Sequence, residues 1–285
     1  MQSGRKILVT GAGGGVGKAL ALRLAARGNV VVASARRLDQ MADLAAVGIV
    51  CVAMDVGDDQ SVRDGFAELE GRVGPALDAV VHCAATAPLG TVEFTAPDAV
   101  ARIFNVNTLG ALRIMQHALP RLRRAGGGRL VLISSLWGQL AGPFVSTYAA
   151  SKHAIEALAD SARREMRGQG IHISVIEPGV VRTAMFENQA DDLDRKIAGL
   201  GADEKTLYGS LYRAHGKLLA KAGRTCITAE QCCVVIERCL DARRPRTRYL
   251  AGSDAKTLVT LSKILPDRAL DAIFGMIYKT EKQAA

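Results

Sequence analysis

The sequence predicts an α/β fold: a doubly wound parallel sheet with helices on both faces. Three observations carry that expectation. Short apolar runs alternate with helical stretches along most of the chain. The runs are apolar at consecutive positions, as strands covered on both faces are. The first run leads straight into a glycine cluster that opens a helix, Thr10-Gly-Ala-Gly-Gly-Gly-Val-Gly17. Repeated strand–helix–strand order demands parallel pairing through right-handed crossovers, and such sheets bind ligands beyond the carboxyl ends of their strands.

Taken in order, strands are expected at 6–10, 30–35, 50–55, 79–83, 129–134 and 172–177, with a short last strand at 248–251. Helices are expected at 16–27, 38–46, 61–70, 97–119, 148–167 and 229–240. Residues 184–226 mix charges, glycines and scattered apolar side chains, and read as a mobile, partly helical insertion; 184–228 is the expected substrate-loop region. Two short amphipathic helices follow at 256–265 and 266–278, in an extension spanning 255–279. Leu258, Leu261 and Leu265 form one stripe, and Leu270, Ile273, Phe274 and Ile277 the other. Pro266 suits the first turn of the second. With no linker or repeat, 1–285 reads as one dinucleotide-binding and catalytic domain.

Composition narrows the class. Of 285 residues, 49% are hydrophobic and 23% charged, ordinary for a soluble globular protein. The polar first five residues do not resemble a signal peptide, and no apolar run is long enough to cross a bilayer. A cytoplasmic location is expected, with peripheral membrane contact through the terminal helices as the alternative. The six cysteines lack disulfide or metal-ligand spacing and read as free thiols, so no metal is expected. The net charge of +9 comes with arginine clusters that read as solvated loops and helix ends. With 4% aromatics there are few stacking platforms, and nucleic acid is not an expected partner.

Gly11, Gly15 and Gly17 space the cluster as G-x-x-x-G-x-G, with Val16 inside it. Glycines allow a tight turn and close backbone approach to a pyrophosphate, and the helix start offers unpaired N–H groups. An NAD-preferring site would place an acid at the end of the second strand. Ala35 stands there, followed by Arg36 and Arg37. Guanidinium groups can grip a 2′-phosphate that a carboxylate would repel. NADP(H) is therefore the preferred cofactor and NAD(H) the alternative, with Asp39 the residue that favours the latter.

Tyr148 and Lys152 lie four apart on an expected helix, so their Cβ atoms are ~5–6 Å apart on one face. An ammonium ~4 Å from a phenol, at an effective dielectric of ~20, would favour phenolate by ~4 kcal/mol. The pair thus reads as a proton-transfer device, with the Tyr148 pKa expected to fall toward neutrality.

The glycine signature, Asn107, Ser135, Tyr148, Lys152 and Pro178-Gly179-x-x-x-Thr183 together resemble the short-chain dehydrogenase/reductase family, over residues 5 to 184. The resemblance implies a Rossmann-type sheet of about seven strands. It implies an oxidoreductase interconverting a hydrophobic alcohol and its ketone or aldehyde. Tyr148 would be the acid and base, and Lys152 would tune it and hold the nicotinamide ribose. Ser135 would hydrogen-bond the substrate oxygen, and Asn107 would anchor a water linking Lys152 to solvent. Asp55, beside Val56, would contact adenine, Ala84 would line the ribose, and Thr183 would bind the nicotinamide carboxamide. Two departures stand out. His82-Cys-Ala-Ala85 replaces Asn-Asn-Ala-Gly, with His82 read as a structural replacement, and Gly14 stands where some NADP-using members carry a basic residue. The terminal helices and the paired arginines resemble the retinol and hydroxysteroid dehydrogenase-like branch. Leu136, Trp137, Leu140, Phe144, Val145, Met185 and Phe186 are the expected lining for a lipophilic substrate. The family commonly forms homodimers or homotetramers, and Ala154, Leu158 and Ala159 are small or apolar enough for that packing. A non-catalytic dinucleotide sensor that binds a partner protein is the rival reading.

Overall fold

The computed structural model describes residues 4–278. From the N-terminus, β1 (Lys6–Thr10) leads into α1 (Gly15–Ala26), β2 (Val30–Ala35), α2 (Ala42–Ala46), β3 (Val50–Ala53), α3 (Asp59–Val73) and β4 (Ala79–His82). The chain continues through α4 (Pro97–Phe104), α5 (Gly110–Arg124), β5 (Gly128–Ile133), α6 (Ser146–Glu165) and β6 (Ile171–Pro178). Last come β7 (Val181–Arg182), α7 (Ala184–Ala198), α8 (Ala202–Thr225), β8 (Ile227–Thr228), α9 (Ala229–Asp241), β9 (Arg248–Ala251), α10 (Ser253–Ile264) and α11 (Asp267–Ile277).

Seven strands pair in parallel in the order β3-β2-β1-β4-β5-β6-β9. Alternating strand residues feed two cores. Leu8, Val32, Val80 and Leu130 pack under α3, α5 and α6, on Phe66, Ile114 and Ile155. Ile7, Val9, Val31 and Val81 pack under α1 and α9, on Leu20, Leu24 and Ile236. Each fully buried leucine or isoleucine contributes about 1.5–3 kcal/mol. The chain reverses direction across the sheet between β1 and β4, so the crevice for a ligand opens there.

Local chemistry explains where the elements depart from the expected bounds. α3 starts before residue 61 because the Asp58 carboxylate accepts a hydrogen bond from Ser61 N at 2.6 Å, capping an earlier turn. The stretch expected as one helix at 97–119 is α4 and α5 joined by a π-helical turn at Asn105–Leu109, and it runs past Pro120 to Arg124. Leu122, buried in the core, helps hold that last turn. Pro266 sits just before α11 rather than inside its first turn.

The largest difference lies at 184–226, expected as partly helical and found almost wholly helical, as α7 and α8. Polar anchors fix it. The Tyr212 hydroxyl donates to the buried Glu204 carboxylate at 2.9 Å, Thr91 donates to the same oxygen at 3.3 Å, and Tyr208 donates to Glu93 at 2.8 Å. Phe144, Leu193 and Tyr212 form a separate small core beneath these helices. Of the residues suited to subunit packing, Ala159 is buried and Leu158 packs on the main core. α10 and α11 fold back onto Leu136, Trp137 and Leu140 through Ala255, Leu258, Val259 and Phe274. Leu136 and Leu140 are thereby core residues of this packing. No described helix is long and apolar enough to cross a membrane.

Candidate active site

The site is built at the carboxyl ends of β1, β4 and β5. Gly11 has a φ of 70°, and a Cβ there would lie 2.6 Å from Ala84 N. A Cβ on Gly17 would lie 2.5 Å from the Gly11 carbonyl. Both positions therefore need glycine for close approach, and they hold the first helix against the loop after β4. Gly14 precedes α1 without a side-chain cap, and nothing lies within 4 Å of the Cβ it lacks. No acid occupies the first turn of α1. Gly15 has a φ of 53°, and a Cβ there would lie 3.2 Å from the Thr183 methyl. An open, electropositive helix start fenced by glycines fits a dinucleotide pyrophosphate.

At the far end of this cradle lie Ala35 and Gln40, both against Gly13. Arg36 and Arg37 are exposed, and Arg37 pairs with Asp39 at 2.9 Å. Asp39 thus turns toward an arginine, and among the described residues no carboxylate pairs with Arg36. Asp55 accepts a hydrogen bond from Gly57 N at 2.8 Å, folding the turn after β3, and Val56 is buried beside Gly110. Gly179, after Pro178, passes against Asp254, whose carboxylate accepts from Val180 N at 2.7 Å. Sequence reasoning missed Gln40 and Asp254. The only available signal for Asp254 was its place just after the last strand, two residues beyond Gly252.

Tyr148, Lys152 and Ser135 converge. The Lys152 ammonium is buried, donates to the Ile133 carbonyl at 2.8 Å and lies 5.6 Å from the centre of the Tyr148 ring. Burial pushes Tyr148 up to about 12, opposed by a hydrogen bond to Ser135. Burial pulls Lys152 down to about 8, opposed by Cys83 and Glu156. The expected fall of the Tyr148 pKa is not what the site shows: burial of the phenol outweighs its hydrogen bond to Ser135, while the Lys152 ammonium donates to a strand carbonyl. The Ser135 hydroxyl also accepts from Trp137 N at 3.2 Å.

Asn107 lies in the π-helical turn, fully buried. Its oxygen accepts from Thr86 N at 2.8 Å, and its amide nitrogen donates to Thr86 O at 2.9 Å and Ser151 Oγ at 3.0 Å. Both amide hydrogens are thereby used in tying the loop after β4 to α6. Asn107→Ala should strand buried polar groups, at about 1–3 kcal/mol for each group left unsatisfied. The expected result is a cooperative melt lowered by roughly 3–10 °C, checked by calorimetry. His82 accepts or donates at Nδ1 with the Thr10 hydroxyl at 2.8 Å, and burial pushes it down to about 3, so it is neutral. Ala85 carries no strain, since Phe144 is the non-glycine residue with positive φ among those described.

Comparison with known proteins agrees with this geometry. Residues 5–194 match the family model described as short chain dehydrogenase. The chain belongs to the short-chain dehydrogenase family. It is 32% identical to human retinol dehydrogenase 5 over 290 residues, covering 98% of this chain and 90% of that one. It is 31% identical to human 17-beta-hydroxysteroid dehydrogenase type 6 over 288 residues, with the same shares. The crystal structure of a short-chain dehydrogenase from Streptomyces avermitilis superposes with a TM-score of 0.74 at 26% identity, covering 97% of this chain and 96% of that one. These place the chain in the retinol and hydroxysteroid dehydrogenase-like branch, as an oxidoreductase acting on CH–OH groups.

Proposed function

We propose that this short-chain dehydrogenase interconverts a lipophilic alcohol and its ketone or aldehyde, prefers NADP(H), and uses Tyr148 as acid and base. The observation that carries the reading is the buried convergence of Tyr148, Ser135 and Lys152 on the same sheet edge as the glycine cradle. A bound nicotinamide dinucleotide would supply or accept the hydride. Gly11, Gly15, Val16 and Gly17 would hold its pyrophosphate, with Asp55, Val56 and Ala84 at the adenosine and Pro178, Gly179 and Thr183 at the nicotinamide. Arg36 and Arg37 would hold the 2′-phosphate, since Ala35 offers no carboxylate to repel it.

In reduction, Ser135 donates a hydrogen bond to the substrate oxygen while Tyr148 delivers its proton there. A phenol at about 12 is fully protonated at neutral pH and so is ready as an acid. The phenolate it leaves is stabilised by the Lys152 ammonium, which is present below about 8 and lost above it. Reduction should therefore decline as pH rises through about 8, and alcohol oxidation should gain with pH because the phenol must first give up its proton. Initial-rate pH profiles in both directions check the sign. Met185, 45% exposed at the start of α7 and two residues after Thr183, offers apolar surface consistent with a lipophilic substrate.

The test is dinucleotide oxidation with all-trans-retinal and a 17-ketosteroid, comparing NADPH with NADH. Faster turnover with NADPH supports the reading, and no turnover with either removes it. Ala35→Asp combined with Arg36→Ala should shift preference toward NADH by about 2–3 kcal/mol, roughly 30- to 150-fold in kcat/KM. An unchanged ratio would remove these residues from the cofactor site.

A further inference from the structure

One helical turn beyond Lys152, α6 carries Glu156, and one turn further Asp160. Glu156 meets Glu177, from the end of β6, at a single guanidinium. Arg248 Nε lies 3.0 Å from Glu156 and 3.4 Å from Glu177, and its Nη2 lies 3.2 Å from Asp160. Glu156 is 6% exposed and Glu177 is 1% exposed. Two buried carboxylates thus share one cation, because Asp160 also pairs with Arg163 and Arg164. Two full charges held so close are costly, and burial raises the proton affinity of both. Gln139 donates to Glu177 at 2.8 Å and leaves Glu156 alone.

Glu156 Oε1 and the buried Ser134 hydroxyl face one another, and neither has a partner elsewhere among the described residues. Both oxygens crowd the space that a Cβ on Gly138 would fill. That space adjoins a 320 Å³ cavity lined by Gly138, Gln139, His153, Glu156, Asp160 and Arg248. Ser134 follows Ile133, whose carbonyl holds Lys152. Ser134 thus joins the Glu156 carboxylate, which lines the cavity, to the strand residue whose carbonyl holds Lys152.

We propose that Glu156 and Glu177, bridged by Arg248, form a proton store that refills Lys152 from the Gly138 cavity during carbonyl reduction. This rests on the reading of the chain as a carbonyl reductase. Each reduction places a hydride on the carbonyl carbon and the Tyr148 proton on its oxygen. The phenolate takes a proton from the Lys152 ammonium, the resulting amine takes one from the carboxyl pair, and the carboxylate takes one from water in the cavity. One solvent proton is consumed per carbonyl. Proton affinity rises along that route, from Glu177 at about 7, raised by burial and Glu156, to Lys152 at about 8 and Tyr148 at about 12. The charged and titratable groups facing the store are Lys152, His153 and Asp160 on α6, Arg248 on β9, and Lys263 on α10, which acts on Glu177. Glu156 acts through Lys152 and is a positioning residue.

Two measurements test this. Infrared spectra of the resting protein, titrated from pH 5 to pH 9, should show a protonated carboxyl band that disappears near neutrality and is missing from both Glu156→Gln and Glu177→Gln. No such band, or one that survives both substitutions, overturns the store whether or not the protein turns over. In NADPH-driven reduction of all-trans-retinal, Glu156→Gln should lower kcat about tenfold at pH 8, at the low end of proton-transfer effects, and far less at pH 6, with KM unchanged. Imidazole, whose conjugate acid has a pKa of ~7 and can donate a proton, should restore part of the loss at pH 8. Should Glu156→Gln not fold, Ser134→Ala keeps every charge and should slow reduction in the same pH-dependent way. An equal loss at every pH with no rescue by imidazole would make Glu156 merely structural and overturn the proposal. A wild type inactive on every carbonyl would overturn the enzymatic reading and the supply step with it, while the infrared band decides the store on its own.

Discussion

Tyr148→Phe should reduce kcat for carbonyl reduction by about 10²- to 10⁴-fold while leaving dinucleotide affinity close to that of the wild type. The substitution removes one oxygen atom from a half-buried ring. The ring itself stays in place under the Lys152 ammonium, 5.6 Å away, so packing and the lysine contact are retained. What disappears is the proton that the proposed mechanism delivers to the substrate oxygen, together with the hydrogen bond shared with Ser135. Stopped-flow NADPH oxidation gives the rate, and quenching of protein fluorescence by NADPH gives the affinity. A loss confined to affinity would mean that Tyr148 serves the cofactor rather than the chemistry. A variant as fast as the wild type would favour a dinucleotide-binding protein whose tyrosine is a packing residue.

Gly11→Ala should be the most damaging change outside the proton-transfer group. At a φ of 70° an L side chain costs about 1–2 kcal/mol by itself. Its Cβ would stand 2.6 Å from Ala84 N, a backbone atom between β4 and the Asn107-anchored turn that cannot swing aside as a side chain could. Forcing the two loops apart adds about 1–3 kcal/mol and opens the crevice where the pyrophosphate would sit. The thermal midpoint should fall by roughly 5–15 °C, and dinucleotide binding should be lost. Gly14→Ala is the matched control. Its φ of −176° suits any residue, and nothing lies within 4 Å of the added methyl, so stability should change by less than about 0.5 kcal/mol. Equal stability of the two variants would show that the close approach between β1 and β4 is not what the glycine provides.

Much of the fold was legible because its signals are local. The strands at Lys6–Thr10, Val30–Ala35 and Arg248–Ala251 fall where consecutive apolar residues placed them, since strands covered on both faces leave that mark in the sequence. The glycine spacing located the cradle for the same reason: tight turns and close approaches select one residue type. α7 and α8 were harder to see because they are secured by tertiary polar anchors, such as Glu204 with Tyr212 and Thr91, that create no hydrophobic period. Leu136 and Leu140 read as substrate lining, yet they support α10, whose approach depends on the chain's return after β9. In the proton-transfer group, spacing placed Tyr148 and Lys152 on one face of a helix, but it could not tell where the ammonium would point. The Ile133 carbonyl, from a neighbouring strand, takes the hydrogen bond of the ammonium, and burial of the phenol sets the direction of the Tyr148 shift. The Glu156–Glu177–Arg248 cluster draws on α6, β6 and β9, and no motif links residues that far apart in the chain.

The most direct test is isotopic. NADPH deuterated at the transferable position of C4 is incubated with all-trans-retinal, and the alcohol is recovered for mass spectrometry. Hydride transfer predicts one deuterium on the carbinol carbon of the wild-type product and almost none accumulating with Tyr148→Phe over the same time. An unlabelled alcohol, or labelled alcohol formed equally fast by the phenylalanine variant, would contradict the account.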